Sequence, residues 1–118
     1  MKTRATIERY YEALRNKSAW DGQFADDVTF TSFTSPNRQI SDRTAFVEGT
    51  KRFYSMIVSF ELRELLIDGD KACGLTRYEL QPPNGGPRFS SDVAEIFSVK
   101  DGQITSFAIY FDTAPYPK

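Results

Sequence analysis

The chain of 118 residues contains no histidine. That absence removes Ser-His-Asp and Cys-His nucleophile systems, imidazole-bound zinc and histidine-ligated haem. Acid/base work is left to carboxylates, Tyr, Lys or a thiol. Cysteine is nearly absent as well, and the single Cys73 excludes an internal disulfide and a cysteine metal cluster. Neither sign of charge dominates: 15 basic against 16 acidic residues give a net charge of −1, so no basic patch points to nucleic acid. Nowhere does an apolar run approach the roughly 20 residues of a membrane helix. Met1-Lys2-Thr3-Arg4 leads into an amphipathic pattern, not the apolar core of a signal peptide. The expectation is a soluble, cytoplasmic protein with no metal, no cofactor, and neither membrane nor nucleic acid as a partner.

Aromatic residues are abundant. Ten Phe and six Tyr, within a hydrophobic share of 40%, argue against disorder and supply one core for a single domain over residues 1–118. Ile7, Tyr10, Tyr11 and Leu14 follow the i, i+3, i+4, i+7 spacing of a helix over Thr3 to Arg15, with Thr3 as its N-cap. Ala19 to Ala25 reads as one or two helical turns weakened by Gly22. Val28 to Phe33 is β-branched and aromatic, hence a strand, ended by Pro36-Asn37. Ser41 or Asp42 caps a second helix from Arg43 to about Met56. Beyond it the period changes to two, predicting strands Val58 to Ile67, Lys71 to Leu80, Phe89 to Val99 and Gln103 to Asp112. Asp68-Gly69-Asp70 and Asp101-Gly102 signal hairpins, the Pro-rich stretch 81–87 a longer loop, and Ala114-Pro115-Tyr116-Pro117 an extended tail. Helices followed by a meander predict an α+β fold with helices on one face of an antiparallel sheet.

One carboxylate breaks the pattern. Every second residue from Phe89 runs Phe89, Ser91, Val93, Glu95, Phe97, Val99, a mostly apolar face carrying only Glu95. If the Pro-rich loop closes a hairpin in which facing positions sum to about 170, Arg77 faces Val93 and lies diagonal to Glu95. Cys73, Leu75, Arg77 and Glu79 then share the face of Glu95, with Cys73 as an inert core thiol. Tyr78, Leu80, Ala94, Ile96, Ala108 and Tyr110 fall on the other face, an apolar surface that predicts a homodimer. Asp26-Asp27 reads as a solvated turn.

The element order, with Ile7-Glu8-Arg9-Tyr10-Tyr11-Glu12-Ala13-Leu14, Phe24-Ala25-Asp26-Asp27-Val28-Thr29-Phe30, Val99-Lys100-Asp101-Gly102-Gln103-Ile104 and Tyr110-Phe111-Asp112, resembles the nuclear transport factor 2-like superfamily, in particular its SnoaL-like members. The resemblance implies a cystatin-like, nuclear transport factor 2-like cone: a curved antiparallel sheet wrapped around the helices, with a mostly apolar pocket. It also implies dimerisation through the outer sheet face. Isomerases, cyclases, hydrolases, dehydratases and non-catalytic binding proteins share this fold, so function must be argued from the site. By comparison with ketosteroid isomerases, the oxyanion tyrosine falls on Tyr10 and the protonated acid on Glu95. The base falls on Ser32, which cannot serve. By comparison with limonene epoxide hydrolases, Arg77-Tyr78-Glu79 resembles the Arg-x-Asp motif, while the second aspartate falls on Ala108 or Ile109 and is absent.

Glu95, Arg77, Glu79 and Tyr10 are therefore the candidate catalytic residues. Trp20, Ser32, Phe53, Phe97, Phe107 and Phe111 are the candidate ligand-binding ones, for a small apolar organic ligand. The chemistry implied is a cofactor-free isomerase, cyclase or hydrolase reaction; the alternative is a non-catalytic binding or dimeric interaction module. A simpler account of the charges is a cross-strand ion pair between Arg77 and Glu95.

Overall fold

The computed structural model describes residues 2–34 and 39–116. Helix α1 spans Lys2–Arg15 and buries Ile7, Tyr10, Tyr11 and Leu14, the stripe its periodicity predicts. Thr3 lies inside this helix instead of capping it, because the helix already includes Lys2. Its hydroxyl donates instead to the Gly69 carbonyl at 2.9 Å, tying α1 to a hairpin turn. The next turn is shorter than expected, a 3₁₀ turn at Trp20–Gln23. Strand β1, Phe24–Ser32, begins four residues early because Phe24 pairs with Ile104 and is fully buried, as is Val28. Asp26 thus sits in a strand, its exposed carboxylate paired with Arg43 at 2.8 Å. Pro36-Asn37 lie outside the described residues. Strand β2, Gln39–Ser41, was not expected; three residues are too short to show a period.

Asp42 caps helix α2, Arg43–Met56, accepting the Ala45 N–H at 2.8 Å. Then come β3 (Ile57–Asp68), β4 (Lys71–Leu80), β5 (Phe89–Lys100) and β6 (Gln103–Phe111). Asp101 and Gly102 both take positive φ, 52° and 76°, as a type I′ turn requires. The sheet order is β2-β1-β6-β5-β4-β3, curved and unclosed, with the helices against one face. Its ladders are antiparallel except β1–β6, which is parallel; α2 and the four strands β2 to β5 supply the crossover this needs. The tail does not run extended. Tyr116 N–H donates to the Thr113 carbonyl at 3.2 Å, turning the chain back onto the sheet; Pro117 is outside the described residues.

Register corrects the expected faces. Arg77 stands opposite Asp92, not Val93, and Gly74 stands opposite Glu95. A one-residue slip moves a whole strand's side chains to the other face. Thr76, Tyr78 and Leu80 therefore join Val93, Glu95 and Phe97 inside, all buried. Cys73, Leu75, Arg77 and Glu79 turn outward, Cys73 only half-buried.

Candidate ligand cavity

Between α2, the inner sheet face and the tail lies a cavity of about 290 Å³. That is near the lower end of small-molecule sites, about 300–1,000 Å³. Alternation along β1 points Phe30 and Ser32 into it, β5 gives Val93 and Glu95, and β6 gives Phe107, Ile109 and Phe111. One face of α2 contributes Thr50, Phe53 and Tyr54, and the tail contributes Tyr116. Tyr116 is held there by donating to Ser91 Oγ at 2.9 Å and by ring contacts with Phe89 and Phe111.

Glu95 forms the charged part of the floor, with only 3% of its surface exposed. Three hydroxyls surround it. Tyr11 Oη and Thr76 Oγ1 both donate to Oε1 at 2.7 Å, and Tyr78 Oη donates to Oε2 at 2.8 Å. Burial raises the carboxyl's pKa above the ordinary value of 4.5, while the three hydrogen bonds pull the other way without cancelling it. Tyr11 reaches Glu95 only because Gly74 has no side chain: a Cβ there would stand 2.2 Å from the Tyr11 hydroxyl.

A second pair of hydroxyls lies alongside. Tyr10 Oη and Tyr54 Oη are 2.6 Å apart. Tyr10 is fully buried and has no other partner among the described residues, so its proton belongs in this bond. Tyr54 then accepts and keeps its own proton for the cavity that its side chain lines. Burial raises the pKa of both phenols, so they act as neutral donors. Ser32 Oγ, on a residue 4% exposed, has no partner among the described residues. Among the described residues, no three carboxylate or thiol groups gather into a cluster that could hold a metal ion.

A family model described as a SnoaL-like domain matches residues 7–107. The chain belongs to the SnoaL-like domain family. No curated protein matches it in sequence. Solved structures of nuclear transport factor 2-like fold superpose over nearly the whole chain. An NTF2-like protein from Burkholderia thailandensis does so with a TM-score of 0.80 at 22% identity, covering 94% of this chain and 91% of its own. A protein of ketosteroid isomerase-like fold from Catenulispora acidiphila, solved with trimethylamine, gives 0.77 at 18%, covering 93% and 87%. TerC, co-crystallized with polyporic acid, gives 0.78 at 16%, covering 97% and 94%. At these identities the likeness establishes the fold alone.

Within this SnoaL-like domain, Glu95, Ser32, Phe53, Phe107 and Phe111 meet in the cavity. Tyr10 stops one residue short of it, acting on Tyr54. Phe97 lies beneath the wall, stacked on Phe107 at 4.8 Å, and Trp20 stacks on the far side of Tyr54 at 3.8 Å. Arg77 and Glu79 do not reach the cavity. Arg77 pairs with Asp92 at 3.2 Å on the outer face, which rules out its ion pair with Glu95, and Glu79 accepts from Ser90 Oγ. Sequence reasoning missed Tyr11, Thr76 and Tyr78. The charge-free alternation Ala72, Gly74, Thr76, Tyr78, Leu80 was the signal that β4 turns this face inward. The adjacent Tyr10 and Tyr11 share the buried side of α1, and spacing alone does not say which meets the acid.

Proposed function

We propose that this SnoaL-like domain binds a small apolar organic molecule in the cavity and that Glu95 exchanges a proton with it, without a cofactor. The observation that carries this reading is Glu95 itself: one buried, ionisable carboxylate in the wall of a mostly apolar and aromatic cavity. A carboxyl whose pKa is raised by burial is better matched to proton transfer near neutral pH than an exposed one. Tyr54 donates its free proton to the ligand atom on which negative charge grows, with Tyr10 behind it, as preorganised donors do. Ser32 supplies a further polar contact.

The test is exchange of ligand C–H protons for deuterium in D₂O, followed by proton NMR over a panel of small ketones. Wild type is expected to exchange at least one bound compound, and Glu95→Gln to slow that exchange at least a hundredfold with unchanged circular dichroism. Binding with no Glu95-dependent exchange of any compound favours the alternative, a non-catalytic binding module.

A second reading concerns assembly. Leu66, Leu75, Ile96 and Tyr110 are large apolar residues between 36% and 52% exposed, all on the outer sheet face. Phe33, stacked on Tyr110 at 4.5 Å, extends the patch. An apolar surface of this kind supports a homodimer through the outer face. Its members differ from those expected, since Tyr78 and Leu80 belong to the core. Sedimentation that finds only monomer at micromolar concentration excludes it.

A further inference from the structure

The charge of the ligand can be argued from what the cavity offers. A carboxylate has about four acceptor sites. Tyr11 and Thr76 take both on Glu95 Oε1 and Tyr78 takes one on Oε2, so a single site remains, on Oε2. Among the described residues, no lysine or arginine lines the cavity to serve as its counter-ion. Arg77, three residues on from Gly74 and so on the opposite face of β4, is spent on Asp92 outside. Around the cavity stand the rings of Phe30, Phe53, Phe107, Phe111 and Tyr116, whose faces carry negative potential. The Ser32 hydroxyl, buried and unpartnered among the described residues, is an independent sign that a polar group belonging to a ligand is expected there.

We propose that the ligand is a small amine bound as its ammonium ion, with an N–H directed to the open site on Glu95 Oε2 and its hydrocarbon part against the aromatic wall. The inference rests on the reading of the cavity as a ligand site and narrows its apolar ligand to a hydrocarbon body that bears one cationic nitrogen. An ammonium supplies the countercharge that a buried carboxylate otherwise lacks, and removing one member of such a pair leaves the other uncompensated. The ring faces add cation–π attraction to the same charge. A neutral alcohol fills the hydrogen-bonding site but brings no charge. A ligand carboxylate meets Glu95 and the ring faces with nothing positive to offset the repulsion.

The experiment uses three probes of nearly equal shape, benzylamine, benzyl alcohol and benzoate, titrated calorimetrically into the full chain near pH 7. Benzylamine is expected to bind at least tenfold tighter than benzyl alcohol, and benzoate at least tenfold weaker than the alcohol. Glu95→Gln should bring the amine and the alcohol to within about threefold of each other while the alcohol still binds. Should that variant not fold, Thr50→Lys places a cation on the helical wall and should invert the order, with benzoate ahead of benzylamine. If benzyl alcohol binds as tightly as benzylamine, or benzoate matches both, the selection by charge is overturned while the ligand site stands. Failure of all three to bind at tens of millimolar overturns the ligand-site reading, and this inference with it.

Discussion

Replacing Gly74 by alanine tests the geometry around Glu95 most directly. In an ordinary strand the change stabilises, because glycine interior to a strand costs about 0.5–1 kcal/mol relative to alanine. Here the new Cβ would stand 2.2 Å from Tyr11 Oη, 3.1 Å from its Cζ and 3.3 Å from Leu62 Cδ1. Tyr11 is 1% exposed and belongs to the middle of α1, so its ring has no free direction in which to move. Restoring ordinary contact means moving the hydroxyl by more than an ångström, which breaks the 2.7 Å bond to Glu95. Overpacking costs about 1–3 kcal/mol, and a hydrogen bond to a charged group contributes about 1.5–3 kcal/mol. Gly74→Ala should therefore destabilise by about 3–5 kcal/mol, a large part of the roughly 5–15 kcal/mol of a small domain. The assay is urea denaturation of four proteins: wild type, Gly74→Ala, Tyr11→Phe and the double variant. Tyr11→Phe removes the clashing atom along with the bond, so the double variant should lose at least about 1 kcal/mol less than the sum of the singles. Additive losses, or a Gly74→Ala variant within about 0.5 kcal/mol of wild type, refute the reasoning.

Stability should also depend on pH through Glu95. Its folded pKa is raised by burial, so the stability it contributes is complete below its ordinary value and lost as pH rises through the folded one. The urea midpoint of wild type should fall relative to that of Glu95→Gln as pH rises from about 4.5, and parallel profiles would show that burial does not govern this group. Tyr116→Phe leaves the fully buried Ser91 hydroxyl without its donor and should cost about 1–3 kcal/mol by denaturation; no measurable loss would mean the tail is not docked in solution. Arg77→Ala removes a partly exposed ion pair and should cost less than about 1 kcal/mol. It should also leave binding of any cavity ligand unchanged, and a tenfold change in affinity would place Arg77 functionally inside after all.

The α+β order, α2, β4 and the Asp101-Gly102 turn were legible because each carries a local signal: a helical stripe, an alternation, a pair of residues that tolerates positive φ. Glu95 was legible for the same reason, as the acid that interrupts β5's apolar face. What misled was the join between β4 and β5. A two-residue turn fixes register, but the loop from Gln81 to Arg88, with its three prolines, leaves the pairing free by a residue. That single residue separates an Arg77 beside Glu95 from an Arg77 on the opposite side of the sheet. Composition could have decided the matter. Lys71, Arg77 and Glu79 share one face of β4, and burying all three against an apolar core is far costlier than burying Ala72, Thr76, Tyr78 and Leu80. The early start of β1 and the docking of Tyr116 were illegible on different grounds, since both follow from tertiary pairing.

The corrected register changes what kind of site this is. With Arg77 inside, Glu95 would be neutralised by a permanent counter-ion, and the cavity would gain no use for its charge. With Arg77 outside, the carboxylate is held only by neutral hydroxyls, which orient it without cancelling its charge. Three such bonds fall short of the cost of burial, as the raised pKa shows. A protein that needed only a stable core would do better with an apolar residue at this position, as replacements of buried charges often show. Tyr11, Thr76 and Tyr78 are themselves buried polar groups whose best partner is Glu95, and Gly74 gives up a side chain so that one of them can reach it. Four positions, three on β4 and one on α1, are thus committed to holding one acid of β5 at a cavity wall, an arrangement that packing alone does not require.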